Sequence, residues 1–219
     1  MEKKQSPDYS LLKAQVKKLA KGPANKAAVE ARLKEFSQKG IPKKMLDPDE
    51  MIAQKQKILD RVQRRAEEYE QVSQSCAKSS ALAVMEEFGF GDITVITALS
   101  SFPGISLTGE TCGAVTGSMA ALSLYFGKSD LLDFTANARS YAQCRRFIHL
   151  FEQEIGTTKC HEIHEDVIFG TYHDPSDIHE GYPAFLKDKG FEKCALPPGI
   201  GARLCAQIII EYMEKDKES

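Results

Sequence analysis

The chemistry available to this chain is concentrated in six cysteines: Cys76, Cys112, Cys144, Cys160, Cys194 and Cys205. The gaps between them run 36, 32, 16, 34 and 11 residues. None makes a Cys-x-x-Cys pair, which leaves zinc ribbons, thioredoxin-type dithiols and bacterial-ferredoxin spacing without support. Cys-x-x-Cys-His is missing as well, so covalently attached haem is excluded. Thiols that share a site here must come from separate elements. Thiolate is the form of cysteine that binds metal and attacks disulfides, and the positive end of a helix favours it. Cys112 stands at such a point. It opens Cys112-Gly113-Ala114-Val115-Thr116-Gly117, a small-residue run that lets another backbone come close, and Gly113 and Gly117 are the candidate cofactor-binding positions.

Three other cysteines sit at comparable junctions. Cys76 precedes a new apolar run, Cys160 follows a helix closed by Gly156, and Cys194 lies ahead of a helix across Pro197-Pro198-Gly199. Four thiols at element ends are well placed to point at one centre. Soft thiolates converging in that way suit a two-iron or four-iron cluster, or zinc. Cys144 falls mid-helix on an apolar stripe and Cys205 lies within Leu204-Cys205-Ala206-Gln207-Ile208-Ile209-Ile210, so both read as buried core residues.

The histidines give a weaker signal. His161, His164, His173 and His179 fall within 19 residues among many acids, and on a helix Cys160 and His164 would share one face as metal ligands can. Asp174-Pro175-Ser176 marks the same stretch as a polar turn, which is the plainer reading. Glu110 and Thr111 are placed to tune the Cys112 sulfur through hydrogen bonds. The chain has no Gly-x-Ser-x-Gly, no P-loop and no dinucleotide fingerprint.

Gly109-Glu-Thr-Cys-Gly-Ala-Val-Thr-Gly117 resembles the central motif of the C-GCAxxG-C-C family of redox-active proteins, with the Gly-Cys-Ala of the name standing here as Cys-Gly-Ala. Ser75-Cys76-Ala77 is similar to the family's leading cysteine, Gly156-Thr-Thr-Lys-Cys160 to its third, and Cys194 with Leu196-Pro197 to its fourth. The resemblance covers about residues 70–214. It implies an all-helical fold and a four-cysteine site, with an iron–sulfur centre on Cys76, Cys112, Cys160 and Cys194, most simply 2Fe–2S. The split-Soret cytochromes are related to the family and carry haem. Only their non-haem part carries over, because this chain lacks the attachment motif. The leading expectation is an electron carrier or redox sensor with an unidentified redox partner. A thiol–disulfide oxidoreductase acting through Cys112 and a zinc-stabilised, non-catalytic helical interaction module are the alternatives.

Hydrophobic periodicity and caps predict an all-α multi-helix bundle with an N-terminal helical extension. Leu11, Leu12, Val16 and Leu19 recur at helical spacing before Gly22-Pro23, and a second helix runs from about Ala24 to Gln38. Asp47-Pro48-Asp49-Glu50 opens a third, which either continues past Ser73 to Cys76 or breaks near Ser73-Gln74-Ser75. Further helices follow from Cys76, from Asp92, from Cys112 to Phe126, from Leu131 to Ile155 and from Ile200 to Met213, and no run alternates as a strand does. The chain divides into a basic arm, 1–46, with 12 Lys/Arg against 4 Asp/Glu, and a cysteine-site domain, 47–219, with 17 against 27. The arm has few aromatics and no recognition motif, which disfavours nucleic acid. Its apolar stripes need a surface, either the acidic body of the same chain or a second subunit, and a homodimer is expected. No apolar stretch approaches the roughly 20 residues of a membrane span, and the first residues lack a signal-peptide core, so the expected address is the cytoplasm.

Overall fold

The computed structural model describes residues 9–130 and 132–218, so residues 1–8 of the arm and Leu131 lie outside the described residues. The helices are α1 (Tyr9–Leu19), α2 (Lys26–Lys39), α3 (Pro48–Ala53), α4 (Lys55–Ser73), α5 (Cys76–Phe88) and α6 (Ile93–Ala98). They continue with the short α7 (Gly104–Leu107), α8 (Gly113–Phe126), α9 (Ala138–Ile155), α10 (Cys160–Ile163), α11 (Gly181–Lys187), α12 (Gly190–Lys193) and α13 (Leu196–Glu218). Among the described residues there is no strand, only one isolated antiparallel bridge between Thr111 and Lys159. The all-α expectation holds. No helix among the described residues is long and apolar enough to cross a membrane.

The caps explain most of the boundaries. The Asp47 carboxylate accepts from the Asp49 and Glu50 amides, and Asp92 does the same for Thr94. Gln74, at φ 57°, turns the chain out of α4 and directly into α5. The helix expected from Leu131 begins only at Ala138, because Asp130 takes the amides of Leu132 and Asp133, and Asp133 takes that of Thr135. Such local bonds compete with helical ones. On α9 the buried face comprises Cys144, Phe147, Phe151 and Ile155, whereas Tyr141 is exposed. The final helix starts four residues early, with Pro197 and Pro198 in its first turn, where their missing N–H groups cost nothing.

Helices α5 and α13 are apolar nearly all round and form the centre, with α4, α8 and α9 packed about them. Small residues set the separations. Gly117 of α8 lies over the backbone of Ala77 in α5, and Gly201 of α13 lies over Ser118 of α8. The arm covers its own chain: α2 packs on α4, while α1 packs on α12 and on the turn after α10. Leu12, Val16, Val29 and Phe36 join the same continuous core as the body. Arg32 pairs with Glu86, a carboxylate only 3% exposed that also accepts from the Tyr69 hydroxyl.

Candidate functional site

Cys76 is the first residue of α5, Cys112 caps α8, Cys160 begins α10, and Cys194 closes α12 just ahead of α13. Two of these positions are tied by backbone. Cys112 N donates to Thr158 O at 2.8 Å, Cys160 N to Glu110 O at 2.7 Å, and His161 N to Gly109 O at 3.0 Å. This short extended pairing, the one bridge in the described structure, holds the Gly109–Cys112 and Thr158–His161 segments side by side. Glu110 and Thr111 thus serve through their backbone. The other close approach is between α5 and α8. A Cβ on Gly113 would strike the Cys76 sulfur and meet Ala77 N at 2.8 Å and Pro103 Cα at 3.1 Å. Gly113 and Gly117 therefore lie on the face of α8 that α5 covers, and what they permit is the approach of Cys76 to Cys112.

All four cysteines line a single cavity of about 520 Å³. Cys112 is buried and the other three are half-buried, and no disulfide joins any of the six. The Cys76 and Cys112 thiols face each other closely enough to share a hydrogen bond. On the opposite side, His164 Nε2 lies 3.5 Å from Cys194 Sγ and 3.8 Å from Cys160 Sγ. Among the described residues, no three Cys, His, Asp or Glu side chains come together closely enough to hold a single metal ion. Cys144 and Cys205 are elsewhere, as the sequence suggested. Cys144 sits 3.7 Å from Ser123 Oγ, and Cys205 donates to Ser118 O at 3.4 Å.

His164 stands apart from the other clustered histidines. His161 Nδ1 binds Gly109 O at 2.8 Å and His173 Nε2 binds Asp188 at 2.8 Å, while His179 lies past the Asp174–Ser176 turn. His164 reaches the cavity because α10 passes directly into a π-helical turn, His164–Ile168, which puts its ring one turn above Cys160. Sequence spacing hinted at this pairing. Glu70 was missed altogether, although its spacing from Val62 and Ala66 puts it on the buried stripe of α4, and it lines the same cavity. Gly104, Ser106 and Leu107 line one side; with Ile105 they make four successive residues with positive φ, of which Ile105 and Leu107 are exposed. Left-handed backbone at non-glycine residues costs roughly 1–2 kcal/mol each, and such strain collects at functional sites. Nothing in the composition of this loop announced it.

Three thiols, Glu70 and His164 on this cavity are shifted towards their uncharged forms. The Cys76 thiol is pushed well up, first by its hydrogen bond with Cys112 and then by burial. Burial pushes Cys160 up to about 12 and Cys194 well above the ordinary thiol range. Burial also raises Glu70 to about 8 and lowers His164 to about 4, so at neutral pH the first holds its proton and the second is uncharged. Among the described residues, five buried side-chain polar atoms lack a partner, and three of them, Ser75 Oγ, His164 Nδ1 and Tyr172 Oη, lie on or against this cavity. Orphaned polar atoms cost stability and concentrate where a ligand supplies the missing bonds.

The all-helical fold brings four cysteines from four helix junctions to one cavity. The family described as "Putative redox-active protein (C_GCAxxG_C_C)" matches residues 74–218, and the chain belongs to it. No curated protein and no solved structure matches the chain.

Proposed function

We propose that this redox-active protein holds an iron–sulfur cluster of the 2Fe–2S kind on Cys76, Cys112, Cys160 and Cys194, and that it carries or senses single electrons. The observation that carries the reading is the convergence of these four thiols, and neither of the other two, on one cavity. The chemistry of the donors supports it. Three of the thiols are held neutral by burial and by one another, which makes them poor free nucleophiles. A bound cationic centre is what turns such thiols into thiolates. Four soft thiolates from separate elements suit a cluster as well as zinc. The buried polar atoms beside the cavity fit the same group, since sulfur ligands accept hydrogen bonds from such neighbours. The cluster would supply one-electron chemistry. The chain would supply four thiolate ligands, a partly open pocket and N–H and O–H donors around it.

The dithiol alternative has one specific observation in its favour, the contact between Cys76 and Cys112. Iron and acid-labile sulfide analysis of anaerobically purified full-length protein separates the readings. The proposal expects iron and sulfide in equal amounts with visible charge-transfer absorption. Colourless protein with a titratable Cys76–Cys112 disulfide would overturn it in favour of the dithiol, and colourless protein with zinc would favour the structural site.

A further inference from the structure

We infer that His164 is a positioning residue of the four-thiol centre: its Nε2–H donates to the sulfurs of Cys194 and Cys160 and thereby raises the reduction potential of what they hold. The inference rests on the four-cysteine reading above. Its geometry stands on independent features. Nε2 lies 3.5 Å from Cys194 Sγ and 3.8 Å from Cys160 Sγ, both within reach of a hydrogen bond to sulfur. The ring has little freedom to turn away. It is 4% exposed, stacks on Phe185 at 5.8 Å, and meets Phe169 edge-on at 5.0 Å and Tyr172 at 5.5 Å.

The position of the ring proton follows from its surroundings. A neutral imidazole carries one N–H. A proton on Nδ1 would have the backbone of His173 as its neighbour, but it would turn the bare Nε2 lone pair towards two sulfurs that are thiolates once they hold metal. A proton on Nε2 meets both sulfurs and removes that repulsion. Hydrogen bonds to ligand sulfur favour the more electron-rich, reduced state and shift the potential upward. The π-helical turn is the device that makes this possible, because it holds the ring at the cavity wall.

The test uses anaerobically purified, full-length protein, with His164→Phe to keep the aromatic packing without the donor and His164→Asn to restore an N–H. Redox titration followed by visible absorption and nitrogen couplings of the reduced centre by pulsed electron paramagnetic resonance are the readouts. The inference expects wild-type iron and sulfide in both variants, a lower potential in the Phe variant, partial recovery in the Asn variant, and only weak nitrogen coupling in the wild type. An unchanged potential in a fully loaded Phe variant would overturn it, and so would an Asn variant no different from Phe. Strong coupling of a directly bound nitrogen, or iron loss from both folded variants, would make His164 a ligand and overturn the donor role. A wild-type protein without iron and sulfide defeats the four-cysteine reading itself and this inference with it.

Discussion

Replacing Gly117 with alanine tests whether the α5–α8 contact is as close as the site requires. A Cβ at residue 117 would land on the Ala77 carbonyl group, with its carbon at 2.8 Å and Ser80 Oγ at 2.5 Å. Ordinary carbon–carbon contacts lie near 3.5–4.0 Å, so α5 must retreat by about 1 Å or α8 must bend. Ala77 offers backbone here, which cannot rotate aside. Overpacking of this kind costs about 1–3 kcal/mol, the upper end being apt against main chain. Alanine in place of a helical glycine returns about 1 kcal/mol, which leaves a net loss of about 2 kcal/mol. For a chain of this size that corresponds to a fall in Tm of about 4–8 °C. Melting of the metal-free, reduced full chain, followed by circular dichroism, reads it directly. Gly117 does not line the cysteine cavity, so any fall in iron uptake by the folded variant reports the retreat of Cys76 from Cys112. Gly113→Ala should act more directly, since its new methyl group would displace the Cys76 sulfur, and reduced iron uptake is expected. A Tm that rises in Gly117→Ala, as helix propensity alone requires, would refute the close-contact argument.

Cys112→Ser should abolish iron and sulfide retention, because a hydroxyl is a poor substitute for a soft thiolate, whereas Cys144→Ala should keep both and lose about 1–2 kcal/mol in urea unfolding; equal iron loss from the two would show that the cysteines are divided wrongly. Glu70 predicts a pH dependence in the metal-free protein. Its folded value, raised by burial from 4.5 to about 8, means that its contribution is complete at low pH and is lost as pH climbs towards 8. His164, lowered by burial from 6.5 to about 4, acts oppositely and only below 6.5. Between pH 6.5 and 8, therefore, the reduced chain should lose about 2 kcal/mol in urea titrations, at about 1.4 kcal/mol per pH unit. Glu70→Gln should abolish that loss, and an unchanged slope in this variant would show that Glu70 does not cause it.

How much of this was legible in the sequence depended on how local the cause was. Helix ends set by a cap beside them were readable: Asp47, Asp92, Gly89 and Gly156 all close or open helices where their types suggest. That Cys76, Cys112, Cys160 and Cys194 line one cavity follows from local patterns too, the junction cysteines and the Cys-Gly-Ala-x-x-Gly run. The start of α9 was not readable, since Asp130 and Asp133 divert amides that the apolar spacing assigned to a helix. Gly113 and Gly117 looked like positions beside a cofactor, and only tertiary packing reveals that another helix takes the space. Glu70 and the left-handed turn at 104–107 depend on contacts made across the fold. The pattern of one segment carries no trace of them.

The site is built in two halves with different support. Cys76 and Cys112 ride on α5 and α8, long core helices held at close range by glycine and gripped by α13. Cys160, His164 and Cys194 ride on a four-residue helix, a π-helical turn and another four-residue helix, none of which has enough internal hydrogen bonding to stand alone. Two things hold that second half. One is the backbone pairing of Glu110 with Cys160 and of Cys112 with Thr158. The other is the arm, because α1 packs on both the π-helical turn and α12, Lys189 reaches Ala20 O at 3.1 Å, and Gln71 reaches Leu19 O at 2.9 Å. The basic arm contains no cysteine or histidine, yet it braces the elements that carry half the sulfur. Its surface is thus found within the chain, against the weaker side of the cavity. Local opening follows the least-buttressed elements, so the Cys160–Cys194 side is where the cavity would first give way, and α1 is what opposes it.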